Sequence, residues 1–185
     1  MRSKAEIIMQ ELTGLRVLDI GGSGYGGDNA YEKELRRAWG NCRARTTVDA
    51  FGTPDIIIDL NKLPLPKIEG DYDIATAFDI IEHLDHPVDV LRWIPTPRLV
   101  ISIPNALSWF VHRIEVKNNV QHLYSFTKYT AQTMLRRSGW LPIRCEYQFG
   151  KWSMAVKFVN FIGSLCPPMT GTGIVIHCER KSAVK

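Results

Sequence analysis

Cysteine is scarce in this sequence: four in 185 residues (Cys42, Cys145, Cys166 and Cys178), with no CxxC pair and no histidine at ligand spacing. That pattern excludes a zinc finger and a disulfide scaffold, and a reducing compartment is its simplest setting. Charge of one sign is scarce too. Against 23 lysines and arginines stand 19 acids, and a net +4 does not by itself favour nucleic acid as a partner. No hydrophobic run is long enough for a transmembrane span, since the longest apolar stretch, Trp152 to Cys166, is broken by Lys157 and Asn160. Met1-Arg2-Ser3-Lys4 leads into polar residues rather than an apolar signal segment, so a soluble cytoplasmic protein is expected. No repeat, low-complexity tract or linker divides the chain, and residues 1–185 are expected to form one domain. What is present is an ordinary globular balance, 45% hydrophobic and 23% charged, long enough to bury a core.

Short β-rich runs alternate with helical periodicity, which predicts an α/β sheet. The first run, 15–20, passes directly into Gly21-Gly22-Ser23-Gly24-Tyr25-Gly26-Gly27. Asp28 can then cap a helix whose Tyr31, Leu35, Ala38 and Trp39 share a face, with Gly40 as its stop. Further strands are predicted over 44–48, 55–60, 72–78, 98–103, 143–149 and 173–178. Helices are predicted from Pro87, at a first helical position, from Thr127, as a cap, and within 152–166. One interval is short. Five residues, 50–54, separate the second run from the third, whereas a parallel crossover takes about a dozen. Either the third run is not a parallel neighbour or the link is a tight extended one, and the sheet is thinly covered there.

Glycines between a buried strand and a helix let the backbone turn sharply and approach a ligand, and the helix start behind them favours negative charge. Asp49 lies 25 residues after Gly24, at the end of the next strand, where a carboxylate can accept hydrogen bonds from both hydroxyls of a ribose. Asp59 can accept from an adenine amino group while Leu60 packs on the ring. Singly these are a tight turn, a strand-end acid and a surface loop; in this order they describe a pocket for an adenosine-containing cofactor. The loop reads GxGxG rather than the dinucleotide pattern GxGxxG, and Asp19 stands just before it. An acid there is poorly placed for a diphosphate and well placed for an ammonium group, which favours S-adenosyl-L-methionine over NAD.

Six segments in order carry a resemblance. They are Val17-Leu18-Asp19-Ile20-Gly21-Gly22, Val48-Asp49, Asp59-Leu60-Asn61-Lys62-Leu63-Pro64, Tyr72-Asp73 with Phe78-Asp79-Ile80-Ile81-Glu82-His83-Leu84, Ile103-Pro104-Asn105, and His122-Leu123-Tyr124-Ser125-Phe126-Thr127. They resemble the motifs of class I S-adenosylmethionine-dependent methyltransferases. The likeness is greatest to the small single-domain branch with Glu-His-Leu after the fourth strand and His-Leu-x-x-Phe-Thr before the last core helix. It spans residues 15–140. It implies a Rossmann-like α/β sandwich whose mostly parallel seven-stranded sheet has the order 3-2-1-4-5-7-6, with the last strand antiparallel. It also implies S-adenosyl-L-methionine as cofactor. Carried onto this sequence, it puts Asp19, Gly21, Gly22, Ser23 and Gly24 at the methionine part, Asp49 with Ala50 at the ribose, and Asp59, Leu60, Phe78 and Asp79 around the adenine. The sequence departs from the family at Ser23, where glycine is usual, and in its short 50–54 link.

Methyl transfer from a sulfonium is an in-line displacement that the cofactor itself activates, so the protein aligns the reactants and can remove a proton. His83 and His122 are the candidate catalytic residues. If 79–83 is helical, Asp79, Glu82 and His83 share a face. A related acid-x-x-Glu-His stretch accompanies a divalent metal in quinone-type O-methyltransferases, whereas the plainer reading has Glu82 and His83 position a loop, and no metal ligand is assigned. His122 either handles a proton or anchors the helix that begins at Thr127. His112, with Trp109, Phe110 and Arg113, belongs to a substrate-facing insert, 106–121. No Asn-Pro-Pro-Tyr-like stretch follows the fourth strand, which disfavours amine substrates such as DNA adenine. The surplus apolar surface of 152–166 is either deep burial or a contact with a second copy, a membrane surface or a greasy substrate. The expected activity is O-methylation of a small-molecule, glycan or lipid-linked acceptor. The alternatives are an inactive cofactor-binding accessory module and an RNA-directed enzyme, the latter favoured only by mild basicity and Arg36, Arg37, Arg43 and Arg45.

Overall fold

Seven strands pair into one sheet in the order β3-β2-β1-β4-β5-β7-β6. They are β1 (Arg16–Ile20), β2 (Ala44–Asp49), β3 (Ile56–Ile57), β4 (Ile74–Phe78), β5 (Arg98–Pro104), β6 (Trp140–Gln148) and β7 (Gly173–Arg180). β1 to β5 pair in parallel, and β7 runs antiparallel to both β5 and β6. The α-helices among the described residues are α1 (Lys4–Glu11), α2 (Ala30–Trp39), α3 (Pro87–Trp93) and α4 (Lys128–Arg137). This computed structural model describes residues 4–24, 30–108, 122–148 and 171–181. The expected cap Asp28, the insert residues 109–121 with His112, and the 152–166 segment lie outside the described residues.

Successive strand residues face opposite sides of the sheet, so each strand feeds two cores. On one side Val17, Ile74, Val100 and Val175 pack against Ile7, Ile8 and Leu12 at α1 and Leu35 and Trp39 of α2. On the other, Leu18, Ile20, Ala75, Ala77, Leu99, Ile101, Ile174 and Ile176 meet Val90 and Leu91 of α3 and Met134 and Leu135 of α4. This two-sided burial is why β4 and β5 read as mainly apolar runs, with Thr76 and Ser102 as the buried polar positions. Thr127 caps α4, its hydroxyl accepting from the Thr130 amide at 3.2 Å, and Gly139 (φ 85°) follows in a left-handed conformation that glycine takes without strain.

The short link after β2 resolves as a tight one. β3 is two residues long, with Val48 opposite Ile56 and Asp49 opposite Ile57, so the chain has only a short distance to return. Asp55 makes the turn: its Oδ2 accepts from the Thr47 amide and hydroxyl, each at 2.8 Å, and its own amide donates back to Thr47 Oγ1 at 2.9 Å. The predicted strand over 55–60 therefore shrinks to its first residues. Ile58 and Leu60 are buried from an extended segment outside the ladder, while Ile57 on the sheet edge stays 78% exposed.

At the amino-terminal end of β1, Arg16 ties this strand to the residue before β4. Its amide, Nε and Nη2 donate to the Asp73 carboxylate at 2.8, 3.3 and 3.1 Å. Hydrogen bonds from Arg16 hold the Asp73 carboxyl at about 2, below its ordinary 3.8. Because the folded value is the lower one, this pair stabilises the fold above the ordinary value and stops doing so as pH falls from 3.8 through about 2. Asp73→Asn is expected to flatten the fall of Tm across that acid window while leaving its slope near neutral pH unchanged, as read by thermal melts against pH.

Candidate functional site

In an open parallel sheet ligands bind outside the carboxyl ends of the strands, where the chain order reverses. Here that point is β1, flanked by β2 on one side and β4 on the other. The glycine loop leaves β1 at this point. Gly21 has φ 72°, and a Cβ on it would lie 2.6 Å from Ile80 Cγ1. A Cβ on Gly22 would lie 2.1 Å from Asp19 Oδ2. Neither position has room for a side chain.

Asp19 is 1% exposed. Its Oδ2 accepts from Arg45 Nε at 2.9 Å and Nη2 at 2.5 Å, and its Oδ1 from the Thr76 hydroxyl at 2.6 Å. Burial pushes the Asp19 carboxyl above its usual range despite the pull of Arg45 and Thr76. Arg45 also donates to the Gly22 carbonyl at 2.7 Å and lies over the Trp39 ring, 4.3 Å from its centroid. Named from sequence only among the arginines that favour an RNA-directed enzyme, Arg45 is the partner of the inward acid and a brace for the loop. The signal for it was register: Asp19 pairs with Thr47 and Val17 with Arg45, which puts acid and base on one face of adjacent strands.

Asp49 ends β2. Its Oδ1 accepts from the amides of Ala50 (2.7 Å) and Phe51 (3.2 Å), and its Oδ2 from the Ser23 hydroxyl (2.6 Å) and amide (3.4 Å). Asp59 caps a turn, accepting from the Asn61 amide at 3.1 Å. Leu60 and Phe78 are core residues, 5% and 4% exposed. Leu60 thus packs inward rather than presenting its side chain to a ring.

Asp79 has φ 51°, a left-handed conformation unusual for a residue with a Cβ. It accepts from the Ser102 hydroxyl at 2.7 Å and pairs with Lys4 of α1. Crowding by its surroundings raises the Asp79 carboxyl, but Lys4, Ser102 and His83 more than offset this and leave it below the usual range. The sharp turn at Asp79 breaks the expected helical face, since only Ile81–His83 form a short 3-10 turn. Asp79 therefore does not join Glu82 and His83 in one ligand group, although it feels the charge of His83.

His122 does. The amides of Leu123 and Tyr124 both donate to the Glu82 carbonyl, at 2.9 and 3.2 Å, and this places the His122 ring edge-on to His83 with centroids 4.6 Å apart. One ligand atom each from Glu82, His83 and His122 lies within 4.8 Å of the others. Two ligands of one ion, each about 2.1 Å from it, sit at most about 4.2 Å apart, so the set fits a divalent cation after a contraction of some tenths of an ångström. Burial, then the charge of His83, lowers the His122 pKa below 6.5 against the opposing pull of Asp79. A second group with ligand chemistry, Glu11, Glu146 and His177, already surrounds the Arg144 guanidinium. There Glu11 bonds His177 Nδ1 at 2.8 Å, and the cluster ties α1 to β6 and β7.

No protein-family model matches the chain, and no curated protein matches its sequence. Solved structures do match it. An S-adenosylmethionine-dependent methyltransferase of Mesorhizobium loti is similar over 95% of each chain, with TM-score 0.61 and 16% identity. A SAM-dependent methyltransferase of Archaeoglobus fulgidus is similar over 91% of this chain and 87% of its own, with TM-score 0.59 and 21% identity. The 1,6-didemethyltoxoflavin-N1-methyltransferase of Burkholderia thailandensis, solved with 1,6-didemethyltoxoflavin and S-adenosylhomocysteine, is similar over 96% and 76%, with TM-score 0.56 and 18% identity. At these identities the likeness is one of fold: the chain carries the Rossmann-like α/β sandwich of these S-adenosylmethionine-dependent methyltransferases.

Proposed function

We propose that the chain is an S-adenosylmethionine-dependent methyltransferase acting at oxygen on a small-molecule, glycan or lipid-linked acceptor. The observation that carries this reading is Asp49, a strand-end carboxylate at the switch point, set beside two glycines whose surroundings exclude a Cβ. On this reading Asp49 and Ala50 take the ribose. Gly21, Gly22, Ser23, Gly24 and Asp19 surround the methionine part, with Arg45 bracing Asp19. Asp59, Leu60, Phe78 and Asp79 border the adenine, Leu60 and Phe78 through their backbone. S-adenosylmethionine held there would supply an activated methyl group to the acceptor oxygen and depart as neutral S-adenosylhomocysteine. The hydroxyl proton passes to His122, which its lowered pKa keeps neutral and able to accept. His83 orients that ring. A divalent cation held by Glu82, His83 and His122 would instead make the acceptor hydroxyl more acidic.

Residues 1–185 are read as one domain. Among the described residues no helix is long and apolar enough to cross a membrane, and Cys42, Cys145 and Cys178 are free thiols, consistent with a reducing cytoplasm. The test is calorimetric titration with S-adenosylmethionine and S-adenosylhomocysteine. The parent should bind at micromolar concentration, and Asp49→Ala should weaken binding on the order of 100-fold, the scale of two hydrogen bonds to a charged group. A folded parent that binds neither ligand would sink the reading.

A further inference from the structure

Ser23 breaks the glycine pattern of the loop, and its hydroxyl is placed where it matters to the site. Asp49 has two oxygens with two acceptor positions each. Oδ1 is taken by the amides of Ala50 and Phe51, which belong to the turn that ends β2. Oδ2 is taken by the Ser23 hydroxyl at 2.6 Å, with the Ser23 amide at the long distance of 3.4 Å. A ribose offering two adjacent hydroxyls therefore finds both oxygens of this carboxylate already accepting hydrogen bonds, Oδ2 from Ser23. Ser23 also has somewhere else to go. Its single hydroxyl proton can turn to the Phe51 carbonyl, likewise at 2.6 Å. The link that carries this carbonyl folds closely over Ser23, since a Cβ on Gly52 (φ 74°) would lie 3.1 Å from Ser23 Oγ.

We infer that Ser23 is an internal competitor for the ribose-binding carboxylate: its hydroxyl holds Asp49 Oδ2, and a cofactor ribose binds by displacing it. The inference rests on the proposed function and deepens it, because it assigns Ser23 control over how tightly cofactor and product are held. The competition acts on the ribose, so it weakens S-adenosylmethionine, S-adenosylhomocysteine and adenosine alike. Affinity given up in this way also speeds release of the product.

The experiment is calorimetry on the parent, Ser23→Gly and Ser23→Ala with S-adenosylhomocysteine, adenosine and 2′,3′-dideoxyadenosine, after thermal melts have shown that the variants fold. Both variants should bind S-adenosylhomocysteine and adenosine about five- to ten-fold more tightly than the parent, the scale of one net hydrogen bond. The dideoxy nucleoside, which has no hydroxyl to offer Asp49, should gain nothing. Unchanged or weaker binding of S-adenosylhomocysteine by both variants overturns the inference, because Ser23 would then be neutral or a cofactor ligand. An equal gain for the dideoxy nucleoside overturns it too, because the cause would be loop flexibility. If neither parent nor variants bind S-adenosylhomocysteine or adenosine, the proposed function falls and this inference falls with it.

Discussion

Gly22→Ala is expected to unfold the glycine loop from within, costing about 3 kcal/mol of stability and, on the proposed function, all measurable affinity for S-adenosylhomocysteine. The added methyl would sit 2.1 Å from Asp19 Oδ2 and 2.9 Å from Arg45 Nη2, inside the ion pair those atoms form. One partner must give way. Asp19, 1% exposed, has no water to turn to, and breaking a buried pair by displacing one member typically costs about 3–5 kcal/mol. The lower figure applies because the Arg45 side chain keeps 22% exposure. Arg45→Met should reproduce most of the stability loss, because it strands Asp19 and also removes the hydrogen bond to the Gly22 carbonyl. Adding Asp19→Asn should then restore much of it, since the stranded charge is gone while the Thr76 hydroxyl can still donate to the amide oxygen. Urea denaturation of the three variants measures this cycle. Gly22→Ala within about 0.5 kcal/mol of the parent would show that the loop is looser than its packing implies.

Much of the fold was legible because burial leaves a pattern along the chain. β1, β4 and β5 bury both faces and read as apolar runs, and α4 announces itself by Thr127 before it and Gly139 after it. The glycine loop and Asp49 were legible because their spacing is local. Three features were not. The apolar run at 55–60 has strand composition, yet the length of β3 is fixed by how far a short link can return, and Asp55 decides that by bonding Thr47. The role of Arg45 depends on which residue of β1 lies beside it, a fact of register that β2 does not encode alone. The meeting of His83 with His122 depends on two backbone bonds to the Glu82 carbonyl from Leu123 and Tyr124, far along the chain, and no side-chain periodicity reports such bonds. Asp79 misled for a related reason. Its acid-x-x-Glu-His context reads as a helix face, but ion pairing to Lys4 and bonding to Ser102 accompany a left-handed turn there.

The histidine pair carries the other large expected effect, and it can be measured before any acceptor is known. Following the imidazole resonances by NMR as pH changes should show His122 titrating below 6.5. His83→Gln should move that titration back toward 6.5 without reaching it, because the charge of His83 is removed while burial, the larger cause, remains. The same shift has a sign for stability: the fold favours neutral His122, so its contribution is present above 6.5 and is lost as pH falls through the lowered folded value. Manganese(II) then separates the two chemistries open to the pair. Selective broadening of both rings at micromolar metal, abolished by Glu82→Gln, would assign Glu82, His83 and His122 to a cation. Broadening no stronger than that of His86 would leave His122 as the proton acceptor. Under either chemistry, once an acceptor is in hand, His122→Gln should cut turnover by about two to three orders of magnitude. Cofactor affinity should stay near the parent's, because the groups that would hold the cofactor's ribose and methionine, Asp49 and Asp19, have their hydrogen-bond partners at Ser23, Ala50, Phe51, Arg45 and Thr76. A His122→Gln enzyme that turns over at the parental rate would return the residue to an anchor for α4.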